Sequence, residues 1–360
     1  MKNVTIPKAS LTGALSVAST ADTNPKTSQT GVLITVTASR TLVRQQGETT
    51  TVVTVVPGAE ATEEFTVHVP LNFNAIISSI PAKNITLTLQ EKELEVSGGS
   101  AKAAFRLKDV TQFPAAREIP DNLVSLPAEN LTAALEAVRF AASTDQARAI
   151  LCGIRMSAGE GKIDMVATDS YRVSMVETDV ATSDLKVDTV VPAAGAKALA
   201  SMHGEVRFGI AEAGYIYASD GNVSVYLTPL AGEYPNVTRL IPEEFASTVT
   251  LDVASVKEVM SFISATSDVD SSVVVNATGL GVSMSPSKAG MDFTQRTSVD
   301  VEGSLEGEDI EFGVNPKYFK DALLAAGGET VKVFLPSPLK PMVIEGSNAS
   351  LKQVVMPVRI

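Results

Sequence analysis

Asn315-Pro316-Lys317-Tyr318-Phe319-Lys320-Asp321-Ala322-Leu323-Leu324-Ala325-Ala326 reads as a helix with a marked start. Asn is a capping residue, and Pro at the next position fits a first helical turn whose N–H needs no partner. Phe319, Ala322, Leu323 and Ala326 then fall at i, i+3, i+4 and i+7, which puts them on one apolar face. The same signal recurs upstream. Pro7 precedes Leu11, Ala14, Leu15 and Ala18, and Pro70 precedes Phe73, Ile76, Ile77 and Ile80. Pro127 precedes Leu131, Ala134, Leu135 and Val138, and Pro192 precedes Ala196, Leu199 and Ala200. Asp252 stands at a cap position before Val253, Val256, Met260 and Ile263. The six segments are 7–21, 70–83, 127–143, 192–203, 252–267 and 315–327, and their starts lie roughly 63, 57, 65, 60 and 63 residues apart. A near-constant interval marks a repeated supersecondary unit.

Between these segments the chain is built of short β-branched or alternating runs. Val32 to Val36, Thr49 to Val56, Ile85 to Leu89, Ser271 to Val275 and Val331 to Leu335 are examples. Gly98-Gly99, Gly159-Glu160-Gly161 and Asp220-Gly221-Asn222 separate such runs with turn chemistry. Each unit therefore reads as one helix followed by about four strands. Six units in 360 residues imply an α+β protein of three domains, two units to a domain.

Composition narrows the function. Hydrophobic residues are 44% and charged residues 19%, the balance of a globular chain. No apolar run reaches the ~18 residues of a membrane span, and the first residues lack a signal h-region. The chain is accordingly expected to be cytoplasmic and without a membrane partner. Cys152 is the single cysteine and His68 and His203 the two histidines, which excludes a disulfide framework and any zinc site needing several such ligands. No cofactor or metal is expected. The net charge is −12 and the isoelectric point about 4.8, against simple electrostatic capture of nucleic acid. The six helices nevertheless carry seven basic and five acidic residues, so the excess negative charge lies elsewhere. Few positive charges on small-residue helices suit weak, salt-sensitive, sequence-blind contact with phosphates.

The residues alone leave other classes open. Thr/Val-rich strands, few charges and a repeat also describe a structural or surface-layer protein that polymerises openly. A hydrolase around Asp169-Ser170 and His203 would lack a G-x-S-x-G elbow or other nucleophile motif. Asp164 and Asp169 have no further acids spaced for a metal cluster. Gly279-Leu280-Gly281 lacks the third glycine and strand-to-helix context of a nucleotide fingerprint.

Specific stretches go further. They are Ala147-Arg148-Ala149-Ile150-Leu151-Cys152-Gly153-Ile154-Arg155-Met156, Val166-Ala167-Thr168-Asp169-Ser170-Tyr171-Arg172-Val173, and Gly232 to Pro242 (GEYPNVTRLIP). Phe312-Gly313-Val314-Asn315-Pro316-Lys317-Tyr318 and the terminus Val354-Val355-Met356-Pro357-Val358-Arg359-Ile360 complete the set. In order and spacing they resemble the bacterial DNA polymerase III beta subunit family, the β sliding clamps. The resemblance runs from about 120 to 360 and is weaker in 1–120, where Gln112-Phe113-Pro114 matches a domain-end motif.

The resemblance implies three domains of sliding-clamp fold, 1–120, 121–245 and 246–360, each with two helix-plus-strands units. It implies a head-to-tail homodimeric ring with twelve helices around the hole. Such a ring encircles duplex DNA without reading sequence and has no catalytic activity. It tethers DNA polymerase and clamp loader through short linear peptides containing Gln and Leu or Phe. The family's peptide pocket maps onto Leu151, Thr168, Tyr171, Arg172, Val173, Pro235, Arg239, Leu240, Asn315, Tyr318, Leu339, Val354, Val355, Met356, Pro357, Val358 and Arg359. Apolar side chains and the adaptable Met356 would take peptide Leu and Phe, with Arg172, Arg239, Asn315 and Tyr318 supplying polar contacts. The DNA-facing positions are Arg148 and Lys26 by match, and Arg139, Lys197, Lys257, Lys317 and Lys320 by helix location. The ring interface maps onto Phe105 and Leu107, opposite Phe262 and Ile263. Three departures stand out. Ser170-Tyr171 replaces a small-residue-plus-His pair, Ala149 and Ile150 replace aromatics, and Leu339 and Pro341 occupy a variable edge.

Overall fold

The structure, a computed structural model, describes residues 2–22, 31–61, 63–180, 186–266, 271–288 and 298–360. All six expected helices form, and each has a strand directly before it and three after it. The first repeat is β1 (Lys2–Pro7), α1 (Lys8–Ala18), β2 (Val32–Val36), β3 (Thr41–Gln46) and β4 (Thr50–Val56), followed by the short β5 (Glu60–Ala61). The second is β6 (Phe65–Val69), α2 (Phe73–Ser79), β7 (Asn84–Leu89), β8 (Glu93–Gly98) and β9 (Ala101–Arg106). The third is β10 (Val124–Pro127), α3 (Ala128–Arg139), β11 (Gly153–Gly159), β12 (Lys162–Thr168) and β13 (Arg172–Asp179). The fourth is β14 (Val187–Pro192), α4 (Ala193–Leu199), β15 (Glu205–Ile210), β16 (Ile216–Ser219) and β17 (Val223–Leu227). The fifth is β18 (Ser247–Asp252), α5 (Val253–Thr266), β19 (Val273–Thr278), β20 (Gly281–Pro286) and a third strand in two pieces, β21 (Val299–Val301) and β22 (Gly303–Gly307). The sixth is β23 (Ile310–Val314), α6 (Pro316–Ala326), β24 (Thr330–Leu335), β25 (Met342–Glu345) and β26 (Leu351–Val355).

The start signals act as expected. The Asn315 side chain accepts from the backbone N–H of Lys317 and Tyr318 at 3.0 and 3.1 Å, and Pro316 occupies the first turn. Asp252 accepts from Ser255 N–H at 2.7 Å. Pro7 and Pro192 sit one place earlier, as the residue before the first helical one, because each still belongs to the preceding strand. The apolar faces are buried. Leu11, Ala14, Leu15 and Ala18 join one core, and Phe319, Ala322, Leu323 and Ala326 another.

The repeat is one strand out of phase with a helix-first count, and the pairing shows why. The strand ahead of each helix does not stay with its own repeat. β1 pairs β7 and β6 pairs β2, so the first two repeats exchange their leading strands. β18 pairs β24 and β23 pairs β19, the same exchange in the last two repeats. A single repeat would leave strand N–H and C=O groups unpaired, so two repeats are the smallest closed unit. One continuous core runs from Val4 to Phe105 and another from Val249 to Val355.

By compactness the chain divides into two units. The first is Met1–Leu135, Gly159–Gly161 and Val180–Ala231, and the second Glu136–Ala158, Lys162–Asp179 and Gly232–Ile360. The boundaries fall inside the middle third because sheets run on from one third to the next. In the first unit an eight-stranded sheet has the order β10-β15-β16-β17-β4-β3-β2-β6, joined where Val225 pairs Val52. In the second unit the order β11-β12-β13-β26-β25-β24-β18-β22 is joined where Val173 pairs Val354. Both seams are antiparallel and both join the third strands of two repeats. The smaller sheets are β5-β1-β7-β8-β9 in the first unit and β21-β20-β19-β23 in the second.

His68 on β6 is only 1% exposed and lies edge-on to Phe113, with Nδ1 3.2 Å from the Asp109 carbonyl. Its Nε2 has no partner among the described residues. Burial holds the imidazole below its ordinary value of 6.5. The unfolded chain therefore takes up a proton at this site before the folded one does, and stability from this site is lost as pH falls below about 6.5. Urea midpoints at pH 8 and pH 5.5 should fall further apart in the parent than in His68→Leu. An equal drop in both would remove this account.

Candidate functional site

The turn from β12 to β13 is organised by two side chains. Asp169 Oδ1 accepts from the N–H groups of Tyr171 and Arg172 at 2.9 and 3.0 Å. Thr168 Oγ1 donates to the Arg172 carbonyl at 2.7 Å and accepts from Ser170 N–H at 3.1 Å. Ser170 is held at φ +77°, a left-handed conformation that is costly for any residue but glycine. This sharp turn ejects Tyr171, whose side chain is 59% exposed. The Tyr171 ring stacks on Tyr318 with centroids 6.3 Å apart and 24° between planes. Its carbonyl accepts from Met356 N–H at 2.9 Å, which ties the C-terminal tail to the turn.

Arg172 lies beneath that stack. It is 7% exposed, and its Nε donates to Asp169 Oδ2 at 3.0 Å and its Nη1 to Asp321 Oδ2 at 2.7 Å. Nη2 donates to the Phe140 carbonyl at 2.5 Å, and the guanidinium faces the Tyr318 ring at 4.5 Å. The guanidinium is thus committed inside the wall. It fixes Tyr318, and through it Tyr171, rather than presenting donors outward. Burial first, and then the Asp169 carboxylate, push the Tyr318 phenol above its ordinary value, so the ring is neutral.

The floor is apolar. Val173, Val237, Val343 and Val354 form a buried cluster, with Ile241 and Phe334 packed against it. Val173 and Val354 are direct cross-strand partners. Val237 anchors the segment that carries Pro235, Arg239 and Leu240, all three exposed. Phe334 and Val343 anchor the connection that carries the exposed Leu339. Leu151, Thr168 and Val355 are buried. Beyond β26, Met356 is partly exposed, and Val358 N–H donates to the Gly313 carbonyl at 2.9 Å. A Cβ at Gly313 would stand 2.5 Å from the Val358 carbonyl oxygen, so only glycine lets the tail, with Pro357 and Arg359, lie on β23. Asn315 spends its side-chain oxygen on the α6 cap. The expected residues are therefore all in the second unit, carried by the turn, the tail, α6, two anchored loops and, for Leu151, the short 3-10 segment Gln146–Cys152. A cavity of about 640 Å³ elsewhere on the same unit, beside Asp164, Glu177 and Lys352, is lined by none of them.

Other expected positions are mixed. Lys26 lies outside the described residues. Lys197 on α4, Lys257 on α5, and Lys317 and Lys320 on α6 are exposed. Arg139 pairs with Glu136 at 2.7 Å. Arg148 reaches Asp145 at 3.4 Å and Ser170 Oγ at 2.8 Å, which braces the turn. Phe105 is a core residue against Phe73, with ring centroids 4.9 Å apart, and Leu107 is half-buried. Ile263 is 2% exposed in the last core, whereas Phe262 is 46% exposed. Sequence reasoning missed Asp169, Asp321, Phe140 and Val237. Asp169 carried a local signal, since an Asp two and three residues before turn N–H groups is an Asx-turn pattern. Among the described residues no group of acids, His and Cys could hold a metal ion.

Removing Arg172 would leave two carboxylates facing each other without their cation. Arg172→Met should cost about 3–5 kcal/mol in urea unfolding. Lys317→Met on the exposed face of α6 should cost under about 0.5 kcal/mol. Similar losses in the two variants would sink this assignment.

The geometry has close relatives. Residues 125–236 match the central domain of the DNA polymerase III beta subunit, and residues 238–359 match its C-terminal domain. The Beta sliding clamp of Streptococcus pneumoniae serotype 4 is 26% identical over 306 residues, 80% of this chain and 78% of that one. The Beta sliding clamp of Staphylococcus aureus strain Mu50 is 25% identical over 297 residues, again 80% and 78%. Among solved structures, the DNA polymerase III beta subunit of Thermotoga maritima superposes with a TM-score of 0.86 at 20% identity, covering all of both chains. The beta subunit from the DNA polymerase of Streptococcus pyogenes gives 0.85 at 23%, covering 99% of this chain and all of the other. At those identities the superpositions establish the sliding-clamp fold, including the first third that the family models leave unmatched. With two consecutive domains matched over most of the chain, the protein belongs to the DNA polymerase III beta subunit family.

Proposed function

We propose that this chain is a DNA sliding clamp: a ring of two copies that encircles duplex DNA and tethers a polymerase and a clamp loader by short peptides. It acts by topology and positioning, with no chemistry of its own. Its three domains are 1–120, 121–245 and 246–360.

The observation that carries this reading is the state of the sheet edges. Two third strands of the six repeats meet in the β4–β17 seam and two in the β13–β26 seam. The third strands left over are β9 and β21. Among the described residues β9 pairs only β8, and β21 only β20. A third seam of the same kind between two copies would use both edges twice and close the assembly. Phe262, 46% exposed, and the half-buried Leu107 lie at the surface, while Phe105 and Ile263 are buried in the cores. Exposed Lys197, Lys257, Lys317 and Lys320 on three helices supply few phosphate contacts, which favours loose, salt-dependent, sequence-blind contact.

Tyr171, Leu240, Leu339 and Met356 offer exposed apolar surface on the unit that holds the valine floor, suited to peptide Leu or Phe side chains, and Arg239 offers an exposed donor. Light scattering at micromolar concentration should give a particle of twice 37.7 kDa, and electron microscopy should show closed rings. Tyr171→Ala should weaken a fluorescent Gln- and Leu/Phe-containing peptide at least tenfold and leave that mass unchanged. Open fibres would favour a polymerising structural protein instead. Unchanged peptide affinity would remove the pocket assignment.

A further inference from the structure

The valine floor continues into open space along its own sheet face. On β12, β13 and β26 the register stacks three rows there. The first is the floor, with Val173 between Thr168 and Val354. Two residues further along the strands, Met175 lies between Val166 and Lys352. Two further still, Asp164 lies opposite Glu177. The second and third rows line the cavity of about 640 Å³. Val166 and Met175 also pack against the valine cluster, so an apolar strip joins floor and cavity. Thr238 lines the cavity too, and its short 3-10 segment, Thr238–Leu240, carries Arg239 and Leu240 of the expected peptide contacts.

The far end of the cavity lacks positive charge. Asp164 and Glu177 are direct cross-strand neighbours of like sign, a pairing that costs stability. Lys162 pairs with Glu177. Burial first, and then Glu177, hold the Asp164 carboxyl above its ordinary value, outweighing the opposite pull of Lys162 and Arg155. Asp164 is therefore a carboxylate whose charge its surroundings do not fully stabilise, and a further cation would stabilise it. Lys352, the exposed base of the cavity, stands one row nearer the floor and two strands over from Asp164. The net charge of −12 adds a long-range attraction for cations.

We propose that this cavity extends the peptide groove and takes a Lys or Arg side chain of the bound peptide, two or three residues beyond the Leu or Phe seated on the valine floor. The inference rests on the peptide-pocket reading above. The aliphatic stem lies over Val166 and Met175, and the charged head stands between Asp164 and Glu177. The spacing follows from the rows. Floor and acidic pair are four residues apart along β13, about 14 Å, which an extended peptide covers in about four residues and a long side chain shortens. The partners so selected are proteins whose binding segment has a basic flank.

Fluorescence anisotropy of the full chain with three peptides tests this. All share one Gln- and Leu/Phe-containing core and carry Ala, Lys or Glu at the second and third positions on either side of it. At low salt the Lys peptide should bind about threefold more tightly than the Ala peptide, and the Glu peptide more weakly. Asp164→Asn relieves the like-charge pair, so the variant should stay folded. It should remove most of the Lys gain and leave the Ala peptide unchanged. Glu91→Gln, which deletes the same charge from an exposed position in the first unit, should preserve the gain. Failure of all three peptides to bind would remove the pocket reading and this extension with it. Binding of the Ala peptide with no Lys gain, a gain that survives Asp164→Asn, or tighter binding of the Glu peptide would overturn the extension alone.

Discussion

Everything in this molecule depends on strands that leave home. β1 and β18, each ahead of its helix, complete the sheet of the following repeat, and β6 and β23 return the exchange. A helix with three strands would have a bare hydrogen-bonding edge and half a core. Exchange fills both at once and makes two repeats fold as one. It also leaves the third strand of each repeat at an edge, and those edges form the two seams. Exchange is local cooperation between repeats, and the seams are its by-product.

The fifth repeat shows how strictly the edge is managed. Its third strand breaks at Glu302. β21 stays with β20, while β22 crosses to pair β18. The break is held by Glu302 N–H donating to Ser255 Oγ at 3.0 Å and its carbonyl accepting from Asp252 N–H at 2.9 Å. A bend of this kind shortens the flat, pairable length of an edge, a common protection against unwanted association.

The helices were legible because their signals are local. Pro or Asn at the start and apolar residues on one face need no knowledge of the rest of the chain. Strand number was legible for the same reason. Pairing was not, since Val4 and Leu87 meet across the sequence with nothing local to announce it. The site was legible as motif stretches but not in its division of labour. Arg172 reads as a ligand contact, yet Asp169 and Asp321 consume it, and one of those partners lies 149 positions away. The tail is a core strand first and leaves the sheet afterwards. Leu351–Val355 is a strand, and Met356 onward leaves the sheet to lie on β23.

The β4–β17 and β13–β26 seams each consist of five residue pairs, yet neither stands alone energetically. Covalent linkage holds each at an effective concentration on the order of millimolar, so a seam that parts re-forms before its ends can diffuse away. A seam of similar make between two chains has no such tether. Its survival depends on protein concentration and on the unfavourable entropy of association. Identical chemistry thus yields joints of different permanence, set only by whether the backbone continues past them. A ring of the proposed kind would have permanent joints where the chain is continuous and a separable one where it is not, with no residue needed to mark the difference.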